Sequence, residues 1–322
     1  MATKVRLAVV MDPIGHIKYA KDTTLGMLLA AQARGWELHY LEQADLRLRD
    51  GVAEGNVRAL RVRADASVWH SLGEPGVEPL GAFDVILMRK DPPFDIEYIY
   101  TSYILERAEL AGALVVNRAH GLRDINEKVY TAWFPQCCAP TLVTRDMNEM
   151  ATFAATHGKI VCKPLHSMGG QSIFVLEPGD KNARVVYENL TENGSHFAIV
   201  QKYLPDIVQG GDARILLIDG EPVPYALARI PSATDHRGNL AAGAHGVGRP
   251  LNDRDRWLCQ QIGPAMSAAG MLFVGLDVIG GYVTEINVTS PTGARELDRQ
   301  FNLNIGETLM AAIERALHRP AR

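Results

Sequence analysis

The sequence predicts an α/β fold, with a parallel sheet in its first third and antiparallel strands over the remainder. Three observations carry this. In the first third, short apolar runs alternate with helix-length segments, which is the signature of a parallel sheet. Beyond residue 160 the apolar runs are joined by short turns rich in Gly, Pro and Asp, which connect antiparallel neighbours. Near the end, two apolar runs flank Gly280-Gly281 and carry Asp277, Glu285 and Asn287 inside them.

The elements follow in order. Leu7 to Met11 is a strand, broken by Asp12-Pro13-Ile14-Gly15. Asp22 is placed to cap a helix that runs through Ala33 and ends at Gly35. Trp36–Leu41, Asp84–Met88 and Leu114–Val116 are further strands, the last two separated by a helix from Asp95 to Ala111. Residues 43–80 are polar and irregular, and read as an excursion that contains some strand. Ligands of parallel sheets sit at the carboxyl ends of the strands. That singles out the stretch Asp12 to His16, Arg89-Lys90-Asp91, and Asn117-Arg118.

Ile160–Lys163 and Ser172–Leu176 are strands around a glycine loop. Ala198–Lys202, Ile215–Ile218 and Tyr225–Arg229 continue the antiparallel pattern. Residues 232–250 lack any hydrophobic period. A loop of that length in a compact domain is functional or disordered, and its Arg237-Gly238-Asn239-Leu240 is read as part of an active-site lid, although a passive surface loop also fits. A helix from Asp253 to Ala269 precedes the hairpin, and a helix from Ile305 to Leu317 follows it.

Composition bounds the function. The 322 residues, 47% hydrophobic and 22% charged, suit about two soluble domains. A net charge of −4 argues against nucleic acid or a membrane surface as partner. No run of 18 apolar residues occurs, and the apolar N-terminal stretch is too short for a signal peptide. Cys137, Cys138, Cys162 and Cys259 show neither metal spacing nor a disulfide framework, and read as reduced thiols of a cytoplasmic protein.

The hairpin carries the strongest chemical signal. Side chains alternate along a strand, so Glu285 and Asn287 share a face. A two-residue loop, Gly280-Gly281, would pair Asp277 with Thr284; a three-residue loop through Tyr282 would pair it with Glu285. Opposed carboxylates repel unless a cation such as Mg²⁺ lies between them, and the three-residue loop is expected on that ground. An ordinary hairpin with one solvated polar face also fits the pattern.

Other motifs are weaker alone. Lys163, followed by His166-Ser167-Met168-Gly169-Gly170, can offer an ammonium and backbone N–H groups to phosphate. It is neither a Walker loop nor a dinucleotide fingerprint. Lys128 in Asn126-Glu127-Lys128 reads as a lysine on the solvated face of a helix. Gln201-Lys202-Tyr203-Leu204-Pro205 suits the edge of an adenine ring, or an edge strand and its turn. Asp212 and Arg214 share a strand face, as do Leu227 and Arg229, and such arginines suit carboxylate or phosphate clamping. Ser290-Pro291-Thr292-Gly293 is a polar turn that either holds a carboxylate or caps the next helix. His16, His166 and His245 lack the spacing of zinc ligands or a nucleophilic triad.

Taken in order, these elements resemble the ATP-grasp superfamily, and most closely prokaryotic glutathione synthetase, over nearly the full length. The resemblance runs through Val10-Met11-Asp12-Pro13-Ile14, Met88-Arg89-Lys90-Asp91-Pro92-Pro93-Phe94-Asp95, Asn126-Glu127-Lys128, Thr131-Ala132-Trp133-Phe134 and Tyr203-Leu204-Pro205. It is most specific at Arg237-Gly238-Asn239-Leu240-Ala241-Ala242-Gly243, at Gly275-Leu276-Asp277, and from Thr284 to Thr292. The chain departs from the family pattern at Gly293 and at Ala244-His245-Gly246.

The resemblance implies a Rossmann-like parallel-sheet domain over 1–122 followed by an ATP-grasp fold. That fold would comprise an antiparallel lid or central subdomain over 123–205 and an α+β catalytic subdomain over 206–322, with a mobile loop at 232–250. It implies a ligase in which ATP phosphorylates the carboxylate of γ-glutamylcysteine, glycine's amine attacks the acyl phosphate, and glutathione, ADP and phosphate leave. Lys128, Lys163, Met168, Gly169, Gly170, Gln201, Lys202, Tyr203, Leu204 and Asp212 would contact ATP. Asp277, Glu285 and Asn287 would hold Mg²⁺ or Mn²⁺. Arg214, Arg229, Arg237 and Asn239 would act on the reacting groups, and Arg89, Ser290, Pro291 and Thr292 on the dipeptide. A cytoplasmic homotetramer or dimer without nucleic-acid or membrane partners is implied as well.

Overall fold

The computed structural model describes residues 4–166, 170–231 and 245–318. Its first sheet is built from β1 (Arg6–Val10), β2 (Glu37–Leu41), β3 (Leu46–Arg49), β4 (Val52–Val62), β5 (His70–Pro79), β6 (Val85–Met88) and β7 (Leu114–Val116). The strand order is β3-β4-β2-β1-β6-β7, with β5 on the flank of β4. β1, β2, β6 and β7 are parallel, as the alternation with α1 (Thr23–Ala33) and α2 (Ile96–Leu110) requires. Asp22 caps α1 as the sequence predicts, accepting from the Leu25 N–H at 2.6 Å; Asp95, read from the sequence as the first residue of its helix, caps α2 by accepting from the Tyr98 N–H at 2.9 Å.

The sheet is nevertheless mixed. Residues 43–80 supply β3, β4 and β5, all antiparallel to their neighbours. The signal for the first of these hairpins is local. Asp50-Gly51 takes φ of +48° and +81° between the paired Arg49 and Val52, the two-residue turn whose twist matches flanking strands. Polar side chains on the outer faces hide the alternation that β4 shows in its burial.

After α3 (Ala119–Asp124) the chain forms a second sheet from β8 (Thr141–Thr144), β9 (Ile160–Pro164), β10 (Phe174–Leu176) and β11 (Ala198–Lys202). It is antiparallel in the order β10-β9-β11-β8. With α4 (Met147–His157) and α5 (Ala183–Thr191) it encloses a small core of its own around Met150, Cys162, Tyr187 and Val200.

The third sheet follows the short α6 (Ile207–Gly210). It holds β12 (Asp212–Ile218), β13 (Glu221–Ile230), β14 (His245–Pro250), β15 (Phe273–Ile279) and β16 (Tyr282–Asn287), ordered β14-β13-β12-β15-β16 and wholly antiparallel. α7 (Asp253–Ala268) separates β14 from β15, and α8 (Ala294–Phe301) and α9 (Ile305–Leu317) close the chain. The predicted loop at 232–250 therefore ends early, because 245–250 is the edge strand β14. Its glycines disguise it but serve the packing: a Cβ at Gly246 would lie 3.1 Å from Leu227. Residues 232–244 lie outside the described residues.

The first and third sheets share their core. Val10, Ile86 and Leu105 belong to one apolar cluster with Ile215, Leu276 and Ile286. α1 packs on α9, where Arg34 pairs with Glu307 at 2.5 Å and with Glu314. Among the described residues no helix is long and apolar enough to cross a membrane.

All four cysteines are free thiols. Burial pushes Cys138 up to about 11, and Cys162 and Cys259 up to about 12. At pH 8 their thiolate fraction is therefore far below that of an ordinary cysteine. A disulfide reagent is expected to modify the folded chain at least tenfold more slowly than the urea-unfolded chain; equal rates would contradict the burial.

Candidate active site

A cavity of about 1030 Å³ lies between the second and third sheets, at the upper end of the size range of small-molecule sites. One end is apolar, lined by Val161, Ile173, Leu204 and Ile207 beside Gln201, Lys202 and Tyr203. The other end is charged, and its charges form two groups.

The first group centres on Asp277, which is 2% exposed. Arg214 stands directly opposite it on β12 and binds it with both arms, Nε to Oδ1 at 2.6 Å and Nη2 to Oδ2 at 3.2 Å. Arg229 reaches Asp277 Oδ2 at 2.9 Å and Asp212 Oδ2 at 2.6 Å. Burial alone would raise the Asp277 carboxyl, but the two guanidiniums hold it well below the usual carboxylate range. Asp212 fares differently: burial pushes it up to about 6 against the pull of Arg229.

The second group surrounds Glu285. Lys163 Nζ lies 3.7 Å and Lys128 Nζ 3.9 Å from its carboxylate. Lys128 also pairs with Glu127. Burial, and then repulsion from Glu285, push Glu127 up to about 7. Lys128 is not on a solvated helix face, since it is only 3% exposed. Asn126 Oδ1 receives the N–H groups of Lys128 and Val129 at 3.1 and 3.0 Å, and the Glu127 carbonyl accepts from Ile286 N–H at 2.8 Å. The Asn-Glu-Lys segment is thereby fastened to the edge of β16.

The hairpin reaches its register by a route the sequence does not reveal. Its loop is the two-residue Gly280-Gly281, with Ile279 paired to Tyr282 and φ of +55° and +78° at the glycines. The three-residue loop is thus ruled out. A β-bulge at Thr284 then shifts the pairing, so that Asp277 faces Glu285 after all. The Thr284 hydroxyl donates to the Asp277 carbonyl at 3.3 Å.

The residues fit a divalent cation. Glu285 and Asn287 share a face of β16, and with Asp277 they line the cavity as hard oxygen donors. Asn287 Nδ2 donates to the Gly275 carbonyl at 3.3 Å, which leaves its amide oxygen as the donor atom for a metal. Among the described residues, no three His, Cys, Asp or Glu side chains converge as a metal site.

The family model for the N-terminal domain of prokaryotic glutathione synthetase matches residues 5–123, and the model for its ATP-grasp domain matches residues 127–302. The chain belongs to the prokaryotic glutathione synthetase family. It is 57% identical over 309 residues to the glutathione synthetase of Pseudomonas aeruginosa, covering 96% of this chain and 97% of the relative. It is 56% identical over 313 residues to that of Pseudomonas putida, covering 97% and 98%. Solved structures of lower identity share the fold: a D-cycloserine synthetase (TM-score 0.68, 14% identity, 97% of this chain and 99% of that one) and the D-alanyl-alanine synthetase A of Vibrio cholerae (TM-score 0.59, 11% identity, 99% and 100%).

As a member of the glutathione synthetase family the chain is an ATP-dependent ligase with small-molecule substrates and a divalent metal. Lys128, Lys163, Gly170, Gln201, Lys202, Tyr203, Leu204, Asp212, Arg214, Arg229, Asp277, Glu285, Asn287, Ser290, Pro291 and Thr292 all line the one cavity. Met168, Gly169, Arg237 and Asn239 lie outside the described residues. Arg89 stands behind the wall rather than on it. Its Nε donates to Thr24 Oγ1 and its Nη2 to the Pro291 carbonyl, each at 3.0 Å, and its own carbonyl accepts from Ser290 Oγ at 3.3 Å. It braces the 290–292 turn from the first sheet.

Asn117, which the sequence marks as a ligand candidate at a strand end, does not line the cavity and has a structural role instead. At the end of β7 it donates to the Phe273 and Val288 carbonyls at 2.7 and 2.6 Å, and accepts from Phe273 N–H at 2.9 Å. It therefore ties the first sheet to both open ends of the hairpin. Asn117→Ala leaves buried backbone groups unpaired and is expected to cost about 2–4 kcal/mol in urea unfolding. A loss under about 1 kcal/mol would mean that the tie is dispensable.

Proposed function

We propose that the chain joins glycine to γ-glutamylcysteine at the expense of ATP, giving glutathione, ADP and phosphate. The observation that carries this reading is one cavity with an apolar slot at one end and, at the other, four cationic side chains facing Glu285 and Asp277. The slot suits an adenine ring beside Gln201, Lys202, Tyr203 and Leu204. Lys128 and Lys163 neutralise the ATP phosphates, with Gly170 and its neighbours Met168 and Gly169 covering them. Asp212 borders the nucleotide. Glu285, Asn287 and Asp277 would hold Mg²⁺ or Mn²⁺, which when bound neutralises phosphate charge.

The dipeptide rests on the turn Ser290-Pro291-Thr292, which Arg89 keeps in place. Its cysteinyl carboxylate oxygen attacks the terminal phosphorus and ADP leaves. The glycine amine then attacks the acyl carbon, and phosphate leaves with the carboxylate oxygen. Positive charge must be ready where negative charge develops. Arg214 and Arg229 meet that need, held in orientation by Asp277. Arg237 and Asn239 are assigned to shielding the acyl phosphate from water. The chain is read as cytoplasmic, and as a homodimer or homotetramer.

The test is ADP release from the purified chain with Mg²⁺ and a panel of acceptors. Release that requires γ-glutamylcysteine and glycine together, with glutathione formed in equal amount, is expected. Release with D-alanine alone, or none with γ-glutamylcysteine plus glycine, would assign the chain to another ATP-grasp ligase activity.

A further inference from the structure

Among the described residues six carboxylates line the cavity, and five of them already have a cation. Glu127 pairs with Lys128, Glu177 with Lys159, Asp212 with Arg229 and Asp277 with Arg214, while Glu285 lies beside Lys163. The sixth is Asp91. It is exposed, and among the described residues no hydrogen-bond donor or cation contacts its carboxylate. Arg89 feels its charge, yet directs Nε to Thr24 and Nη2 to the Pro291 carbonyl. The backbone of Asp91 is fixed on both sides. Its N–H donates to Asp12 Oδ2 at 2.8 Å, and its carbonyl accepts from Lys90 Nζ at 2.7 Å. Lys90 Nζ also pairs with Asp12 Oδ1 at 2.8 Å, so the charges of these two cancel and that of Asp91 stands. A held backbone under an unpaired carboxylate suits a group kept for an incoming cation.

The place suits one end of a substrate. β1 and β6 are parallel neighbours, and the chain leaves β1 for β2 on the opposite side. Asp12 and Asp91 therefore follow the two strands that flank the topological switch point of the first sheet. The 290–292 turn runs from there to the charged end of the cavity. Ser290 Oγ donates to the Arg89 carbonyl at 3.3 Å, and the Thr292 carbonyl accepts from Arg214 Nη1 at 3.2 Å. We infer that Asp91 receives the α-ammonium of the γ-glutamyl group, and so selects a γ-linked over an α-linked dipeptide. The inference rests on the reading of the chain as a ligase of γ-glutamylcysteine and glycine, and names the residue that reads the far end of that substrate. An extended dipeptide spans about 7 Å, and the γ linkage inserts two methylenes before the ammonium. With the cysteinyl carboxylate beside Arg214 and Arg229, the single cation of the dipeptide lies at the other end of the turn. A carboxylate there makes a charge-assisted hydrogen bond with it. The α-linked isomer carries its ammonium nearer the reacting carboxylate and presents only a carboxylate at the far end, which Asp91 repels.

Steady-state kinetics with γ-glutamylcysteine and with glutarylcysteine, which lacks only the amino group, test this. Circular dichroism and the KM for ATP check the fold and the nucleotide end. The wild type is expected to prefer γ-glutamylcysteine in kcat/KM by about tenfold or more. Asp91→Asn is expected to raise the KM for γ-glutamylcysteine and bring the two substrates within about threefold of each other, with the KM for ATP kept. Asp91→Glu is expected to recover part of the preference. A wild type without the preference, or Asp91→Asn that slows both substrates alike, overturns the ammonium site while the ligase reading stands. A wild type that does not turn over γ-glutamylcysteine with glycine overturns the ligase reading, and the ammonium site with it.

Discussion

Glu285→Gln is expected to lower turnover by about three orders of magnitude while leaving the fold intact. The substitution keeps shape and removes one negative charge. In the structure that charge is shared by Lys163 at 3.7 Å and Lys128 at 3.9 Å, and it is the carboxylate donor that no arginine occupies. Two consequences compete. Freed lysines would bind phosphate more tightly, whereas loss of a carboxylate ligand weakens the hold on a divalent cation. The second should win for turnover, because two lysines alone cannot neutralise a triphosphate that is losing its terminal phosphoryl group. Glu285 sits beside the bulge on β16, whose apolar anchors Val283 and Ile286 are untouched, so stability should change little. Turnover measured across a Mg²⁺ titration checks this. Near-normal turnover at ordinary Mg²⁺ would remove Glu285 from the metal site.

Arg214→Leu should damage both fold and reaction. Arg214 supplies two of the three contacts to the buried Asp277 carboxylate and donates to the Thr292 carbonyl at 3.2 Å. Removing one partner of a buried pair leaves a charge with too little compensation, at a cost of about 3–5 kcal/mol. The acyl phosphate also loses a guanidinium, so turnover should fall by at least about a hundredfold. Arg214→Lys should recover part of the stability but little of the rate, since an ammonium cannot reproduce the two-armed contact. Urea unfolding and steady-state rates of the two variants separate these effects. Arg214→Leu with stability within about 1 kcal/mol of wild type would mean that Arg229 alone satisfies Asp277.

Much of this was legible in the sequence, for reasons that differ by residue. The cap Asp22, the parallel strands and the terminal helix followed from local chemistry. The pairing of Asp277 with Glu285 was anticipated, but for the wrong reason: the loop has two residues, and the bulge at Thr284 restores the pairing. A bulge is a tertiary compromise and carries no pattern of its own. The strands in 43–80 were missed because their exposed faces are polar, although Asp50-Gly51 marks a hairpin turn. β14 was missed because Gly246 and Gly248 imitate a loop. Lys128 reads as a surface lysine until Asn126 and β16 close around it. Asn117 acts through backbone groups of distant segments, and nothing in its neighbourhood announces that. The substrates are beyond residue patterns altogether and rest on family membership.

The central claim is that a carboxylate is activated as an acyl phosphate in the cavity around Arg214, Arg229 and Glu285. It is tested most directly by γ-glutamylcysteine labelled with ¹⁸O in the cysteinyl carboxylate, turned over with ATP and glycine. Mass spectrometry of the released phosphate should find one labelled oxygen per glutathione formed. Phosphate free of label, with glutathione still produced, would contradict the mechanism.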